Sequence, residues 1–281
     1  EVRNWLPGWL RDHALPYFVV SLATLVVGLF VFEPWNAGAG ILVGGGDGNW
    51  LMANYQVVGQ VGIFGTDPHL AWPTGYTIWT LPQLGYSQLI PAWIMSKSTS
   101  ASMLTVVLYV QVLTMVLCAS SVLFLIRSLI RRASQMIAIV FSVGVGVSPY
   151  LTTETLLQHQ NVSAFFAIPI VIGILVRVHD GGWKQYLMAA MAVAAVVATS
   201  PLWWVFVILS LLVIIGLGLL LQRRFGHVLE VTVIGIGVGL GALATLVPYA
   251  LRSVSSAAES RGAWDSNVYG GHLSDLLVSS S

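Results

Sequence analysis

The sequence predicts an all-α protein, a polytopic bundle of transmembrane helices. Of its 281 residues, 57% are hydrophobic and only 8% are charged, whereas a soluble domain carries about 25% charged residues. The mean hydropathy is +0.84. So little polar surface cannot cover a water-soluble globule, which excludes soluble enzymes. The net charge of +1 excludes a nucleic-acid partner, because binding one needs a basic surface.

Seven apolar segments approach the ~20 residues that a helix needs to cross the hydrocarbon core. They are roughly 15–32, 103–126, 133–150, 162–178, 186–199, 202–221 and 228–250. Ser200-Pro201 separates the short fifth segment from the sixth, which predicts a tight hairpin, and Pro169 is expected to kink the fourth. Because the chain begins at Glu1 and stops in a run of serines, we expect residues 1–281 to be a single transmembrane domain, the N-terminal portion of a longer protein.

Lysine and arginine residues predict the orientation, because they accumulate in short cytoplasmic segments. If the N-terminus is cytoplasmic, nine of the twelve basic residues lie inside, and Lys97, Arg252 and Arg261 lie outside. The predicted topology is therefore N-in and C-out. Residues 34–100 then form a large first extracytoplasmic loop, and residues 251–281 begin a second one. Since the cytoplasmic connections are short, we expect any chemistry at the outer face.

The first outer loop carries the leading candidate for a functional carboxylate, Asp47. The glycine-rich stretch that ends at Gly48 matches no nucleotide fingerprint and precedes no Walker lysine, and the sequence shows no haem site. Apolar residues at 50, 51, 57, 58 and 61 recur at helical spacing, which predicts an amphipathic interfacial helix on the outer membrane surface. Asp47 would stand at its N-terminus, either as a cap for free backbone N–H groups or as a catalytic carboxylate. The two roles are compatible, because a cap fixes the position of its carboxylate.

Three further outer residues have a structural and a functional interpretation. His69 is either a surface histidine or a ligand contact. For His159, on the outer rim of an otherwise apolar bundle, we favour substrate binding over a helix-capping role. Trp203 follows Pro201 at the outer end of the sixth segment, where a tryptophan anchors the helix in the membrane interface and secondarily offers a face on which a sugar can stack.

The membrane interior holds few polar groups. No Asp, Glu, Lys, Arg or His lies in the middle of any of the seven segments, and Gln111 is the only strongly polar group there. Ion-coupled transporters usually need buried ionisable residues, so the pattern disfavours a transporter. Glu230, at the inner end of the seventh segment, is interpreted as an interfacial charge.

Several short motifs occur in the same order as in a known family. They are Gly46-Asp47, Gly62-Ile63-Phe64, Pro73-Thr74-Gly75, Trp79-Thr80-Leu81-Pro82, His159, Pro169, Arg261, Asp265, Tyr269 and Leu273-Ser274-Asp275-Leu276-Leu277. In this order the chain resembles a bacterial group of the GT-C superfamily of polytopic membrane glycosyltransferases. Each motif alone is short, and the resemblance depends on their order and their predicted side of the membrane.

The resemblance implies that a sugar linked to polyprenyl phosphate is transferred to a cell-envelope acceptor on the outer face of the bacterial plasma membrane. It implies that Asp47 acts as general base or metal ligand and that Glu154, otherwise a solvated loop charge, assists. Arg252, which directly follows the seventh segment, could bind the phosphate. The Asp-x-Asp pair of some family members is absent, because Gly48-Asn49 follows Asp47, so the need for a divalent cation stays open.

Two other functions remain compatible with the sequence. A lipid or polysaccharide transporter or flippase would need a polar path across the bundle. A non-catalytic membrane subunit would use Asp47 only as a helix cap. In each case the expected partners include membrane lipids, and the lipid-linked sugar donor is expected only for the glycosyltransferase.

Overall fold

A computed structural model describes residues 14–39, 46–66, 84–130, 134–156, 163–179 and 181–253. Over these ranges the chain is helical and contains no strand, which confirms the all-α prediction. The α-helices are α1 (Leu15–Phe32), α2 (Gly46–Val61), α3 (Tyr86–Ser98), α4 (Met103–Leu129), α5 (Gln135–Gly146), α6 (Pro149–Leu156), α7 (Ala167–Val178), α8 (Trp183–Thr199), α9 (Leu202–Leu221) and α10 (Phe225–Ser253), and a 3-10 helix covers Pro34–Ala39.

Five helical stretches in the described ranges are long and apolar enough to cross a membrane. They are Leu15–Asn36, Met103–Leu129, Gln135–Thr152, Leu202–Leu221 and Phe225–Pro248. The other two predicted segments form α7 and α8, which have 12 and 17 residues. Both are shorter than the ~20 residues of a full span. Pro169 lies in the first turn of α7, where a proline removes no helical hydrogen bond, so the expected kink has no physical cause there.

Helix α4 is the centre of the bundle. It contacts α1, α2, α3, α5, α7 and the 3-10 helix, and 72% of its most apolar stretch is buried. Several of its buried residues are small or weakly polar, and their hydroxyl groups bond to backbone carbonyls one turn back, as with Thr114 to Val110 and Ser128 to Phe124. Such residues let helices approach closely without leaving a polar atom unsatisfied.

Helices α8 and α10 form the most extensive helix pair, and glycines make it possible. A Cβ atom added at Gly237 would lie 2.5 Å from the carbonyl oxygen of Ala190, and one added at Gly241 would lie 2.5 Å from that of Ala194. The two backbones therefore touch at positions four residues apart, as in glycine-mediated pairs of membrane helices. Helix α9 follows α8 after only Ser200-Pro201, as the sequence predicts, and packs mainly against α10.

Helix α2 includes the stretch for which the sequence predicts an amphipathic helix. Tyr55, Val57 and Val58 are fully buried, in a cluster with residues of α3 and α4 that includes Leu89 and Val107. The part of the apolar face of α2 that these residues form is thus covered by protein, whereas Val61, at the end of the helix, is 39% exposed.

Candidate functional site

The candidate site begins at the N-terminus of α2, where Asp47 occupies the first turn of the helix. A helix N-terminus carries free N–H groups and a partial positive charge, which stabilise a nearby carboxylate. The backbone thus gives Asp47 the position that the sequence predicts. Its side chain lies outside the described residues.

Helix α2 is anchored by contacts along its C-terminal half. Lys97 of α3 donates from Nζ to the backbone oxygen of Gln60 at 3.3 Å. An added Cβ at Gly59 would lie 2.6 Å from the terminal carbon of Met103, in the first turn of α4. Burial raises the pKa of Tyr55, so its phenol stays neutral. These contacts hold α2, and with it the backbone of Asp47, against α3 and α4.

The start of α3 lies against the connection between α8 and α9. A Cβ added at Gly85 would clash with the backbone of Thr199, Ser200 and Pro201, so no larger residue fits there without a shift. Since α2 packs on α3, this contact brings the region of α2 and α3 to the C-terminal end of α8. The first turn of α9, with its two tryptophans, begins at the same place.

Trp203 and Trp204 differ in their surroundings. Trp204 packs its ring edge-on against Phe165, with 6.2 Å between the ring centroids. Trp203 is 59% exposed and keeps a free apolar surface. Of the two tryptophans, Trp203 is therefore the one with a ring surface free to contact lipid or another molecule.

The remaining predicted site residues are only partly covered by the structure. The backbone of Glu154 belongs to α6, and that of Arg252 belongs to the last turn of α10. The structure does not describe the side chain of either residue. His69 and His159 lie wholly outside the described residues. Of the predicted site residues, only Trp203 has a side chain within the described part of the chain.

A buried polar link crosses the bundle interior between α4 and the turn before α7. Gln111 donates from Nε2 to Ser163 Oγ at 3.0 Å, and the Ser163 hydroxyl lies 3.3 Å from Gln111 Oε1. The Cys118 thiol is 3.4 Å from the Ser163 carbonyl oxygen. These groups are neutral and bonded to one another, so the link joins helices and offers no charged path for a substrate.

A second polar site, which the sequence analysis missed, surrounds Glu230. His179 Nδ1 lies 3.0 Å from Oε2 of Glu230, and His227 Nδ1 lies 3.0 Å from Oε1. Tyr186 donates its hydroxyl to Oε1, also at 3.0 Å. Only 7% of the Glu230 side chain is exposed. We call these four residues the Glu230 cluster. Glu230 is thus a buried, hydrogen-bonded carboxylate and not the interfacial charge that the sequence suggested.

The Glu230 cluster and the start of α3 lie at opposite ends of α8. Tyr186 is near the N-terminus of α8, whereas Gly85 meets its C-terminal end. With a rise of 1.5 Å per residue, the two ends are separated by roughly 20 Å. In the sequence, the only signal for the cluster is the spacing of His227 and Glu230, which places them on one helical face. His179 and Tyr186 join them only through packing.

Comparison of the chain with protein-family models, with curated proteins and with solved structures finds no match. The functional argument therefore depends on the residues of this chain and on the contacts they make.

Proposed function

We propose that the chain is the N-terminal part of a GT-C type membrane glycosyltransferase, which moves a sugar from a polyprenyl-phosphate-linked donor to a cell-envelope acceptor. In this proposal the chain crosses the bacterial plasma membrane seven times, with its N-terminus in the cytoplasm. The observation that carries the proposal is the position of Asp47 in the first turn of α2, a helix anchored to α3 and to the start of α4.

The chemistry of a lipid-linked donor explains why that position suits a base. Its polyprenyl chain lies in the bilayer, so the anomeric carbon and the phosphate sit at the membrane surface. During transfer, the acceptor hydroxyl attacks the anomeric carbon and gives its proton to a base, while the bond to the phosphate oxygen breaks and polyprenyl phosphate leaves with the electron pair. The carboxylate of Asp47, in the first turn of α2, is the proposed base.

The charge distribution supports the proposed orientation. Arg177, which follows the apolar part of α7, donates from Nε to Ser128 at the end of α4, at 2.9 Å. The ends of α4 and α7 thus meet at one end of the bundle, and each helix carries an arginine in its last turn, Arg127 in α4 and Arg177 in α7. Because basic residues accumulate on the cytoplasmic side, this end is proposed to face the cytoplasm and the Asp47 region to face out.

The other predicted residues have supporting roles in this proposal. Glu154 assists Asp47, and Arg252 binds the donor phosphate through its guanidinium group. Trp203, His159 and His69 line the sugar or acceptor site, with the exposed ring of Trp203 offering a stacking face. The mechanism is also compatible with a divalent cation, for which the Asp47 carboxylate would be a ligand.

The test is a transfer assay of the full-length protein in proteoliposomes with polyprenyl-phosphate sugars, comparing Asp47→Asn with Asp47→Ala. A catalytic base predicts that both variants lose about 10²- to 10⁴-fold in kcat/KM. Asparagine caps a helix about as well as aspartate, so a purely structural role predicts an active Asp47→Asn and an unstable Asp47→Ala.

The matched control is Asp67→Asn, which removes another carboxylate of the same segment and should leave the rate unchanged. Thermal melting of each variant separates lost catalysis from lost folding. Wild-type activity in Asp47→Asn, with normal melting, would rule out the proposed base and leave the transporter or the non-catalytic subunit as the function to test.

A further inference from the structure

The Glu230 cluster has the composition and geometry of a metal-ligand set. The two imidazole rings lie close together and tilted, with 4.1 Å between their centroids and 36° between their planes. Each presents Nδ1 to a different oxygen of the same carboxylate. The three potential ligand atoms, one from each residue, all lie within 4.8 Å of one another.

We propose that His179, His227 and Glu230 bind one transition-metal ion of the Zn²⁺ class. Two imidazole nitrogens and one carboxylate are a ligand set that Zn²⁺ accepts, whereas Mg²⁺ and Ca²⁺ prefer oxygen ligands only. Ligand atoms of a tetrahedral Zn²⁺ are about 3.3 Å apart. The set therefore needs to contract by roughly 1.5 Å or less, which side-chain rotation supplies.

The charge of the cluster also favours a cation. A buried carboxylate is costly unless it is paired or bound to a metal, and the Glu230 carboxylate is almost fully buried. Each histidine presents Nδ1 to one oxygen of this carboxylate. On metal binding, each Nδ1 becomes a ligand and the ring proton is on Nε2, so the ion replaces two hydrogen bonds and neutralises the carboxylate.

The exposure of the ligands provides a path for the ion and a fourth coordination position. The side chain of His179 is 48% exposed and that of His227 is 26% exposed, on the open side of the buried Glu230. A water molecule would complete the tetrahedron there. Tyr186, which donates to Glu230 Oε1, would hold the carboxylate in place from the protein side, as hydrogen-bond partners of metal ligands commonly do.

The proposed ion would join three helices. His179 directly follows α7, Tyr186 belongs to α8, and His227 and Glu230 belong to the first turns of α10. An ion that binds only the folded arrangement stabilises it by mass action. This role concerns the end of α8 opposite the start of α3 and does not depend on the proposed glycosyltransferase activity.

The experiment titrates Zn²⁺ into the full chain, purified in detergent and stripped with a chelator. Isothermal titration calorimetry is expected to show one site per chain, and Co²⁺ is expected to give the visible absorption bands of a tetrahedral complex. Losing one ligand, in His227→Ala or Glu230→Gln, should weaken binding more than the loss of a supporting hydrogen bond does. Losing only the supporting hydrogen bond, in Tyr186→Phe, should weaken it by about 10- to 100-fold.

The control variant is His272→Ala, which removes a histidine far along the chain and should bind Zn²⁺ like the wild type. If Glu230→Gln does not fold, the half-exposed residue His179 is substituted instead. The His179→Asn variant should fold normally but should not show the rise in melting temperature that Zn²⁺ causes in the wild type. The proposal is wrong if the wild type shows no saturable site below about 100 μM, or if the ligand variants bind as tightly as His272→Ala.

Discussion

Helices α4 and α9 are both long and apolar enough to span a membrane, but they occupy different environments. Helix α9 is the more apolar of the two, but only 17% of its most apolar stretch is buried in the protein. In α4, 72% of the corresponding stretch is buried. In water the more apolar helix would be the one inside. In a bilayer the lipid tails are as apolar as leucine, so burial in protein is decided by close packing and polar contacts.

The composition of the two helices agrees with that rule. Helix α4 carries Gln111, Cys118 and a series of buried serines and threonines, several with hydrogen-bond partners on neighbouring helices or one turn back. Helix α9 is almost entirely aliphatic and aromatic, and its exposed side chains include Phe206, Ile214 and Leu221. The large apolar surface of α9 suits contact with lipid, which is what a membrane location predicts.

If close packing decides burial, the largest effect should come from filling a helix contact. Gly237→Leu places a side chain against the backbone of Ala190 in α8, while at Gly239, two residues further on, an added Cβ meets nothing within 4 Å. The atoms of Ala190 that the leucine meets are backbone atoms, which no rotamer change can move, so the cost should exceed both the typical overpacking cost of about 1–3 kcal/mol and the cost of truncating one buried leucine. We therefore expect Gly237→Leu to abolish a monodisperse peak in size-exclusion chromatography, and Gly239→Leu to elute and melt like the wild type.

An equal loss in both glycine variants would contradict this account. It would mean that added bulk anywhere on α10 disturbs the protein, and that the contact with α8 has no special role.

A smaller difference is expected from a pair of leucine truncations. Leu108 of α4 is fully buried, whereas Leu217 of α9 is 54% exposed. Leu108→Ala should lower the free energy of unfolding by about 2–5 kcal/mol, because its neighbours cannot fill the cavity. Leu217→Ala should cost under about 0.5 kcal/mol, since lipid or detergent fills the space. Chemical unfolding in mixed micelles measures both, and similar losses would show that α9 is buried by something outside this chain.

The smallest effect concerns the polar link of α4. Gln111→Leu makes α4 more apolar but leaves Ser163 with one partner fewer, so we expect a loss of roughly 1 kcal/mol. Adding Ser163→Ala should recover part of that loss, because both polar partners are then gone. The control is Ser210→Leu on the exposed face of α9, which should be neutral in the same unfolding assay. A stabilised Gln111→Leu would show that hydropathy outweighs hydrogen bonding in the core of this bundle.

Local patterns in the sequence predict the helices well and their partners poorly. The segment 103–126 corresponds to α4, and Ser200-Pro201 separates α8 from α9 as expected, because both depend on neighbouring residues only. The position of Asp47 in the first turn of α2 also follows from a local pattern. The apolar positions of α2 are helical as predicted, but whether protein or lipid covers them depends on α3 and α4, which are distant in sequence.

The Glu230 cluster shows the same limit at a site. The spacing of His227 and Glu230 is visible in the sequence, but a lone acidic residue at a helix end is usually a solvated charge. His179 lies about 50 residues earlier and Tyr186 on another helix, and only the packing of α7 and α8 on α10 brings them within 3.0 Å of the carboxylate. Sequence spacing within one helix could not show that convergence.

By itself, the sequence determined that this protein is all-α and built from apolar helices of membrane length, because those properties are sums over neighbouring residues. Only the tertiary structure decided that α4 is the core helix and α9 a peripheral one, and that Glu230 is buried among two histidines and a tyrosine. The physical reason is that an apolar side chain has a similar free energy in lipid and in the protein interior. Which faces meet is therefore settled by the fit of small and polar residues on helices far apart in the chain.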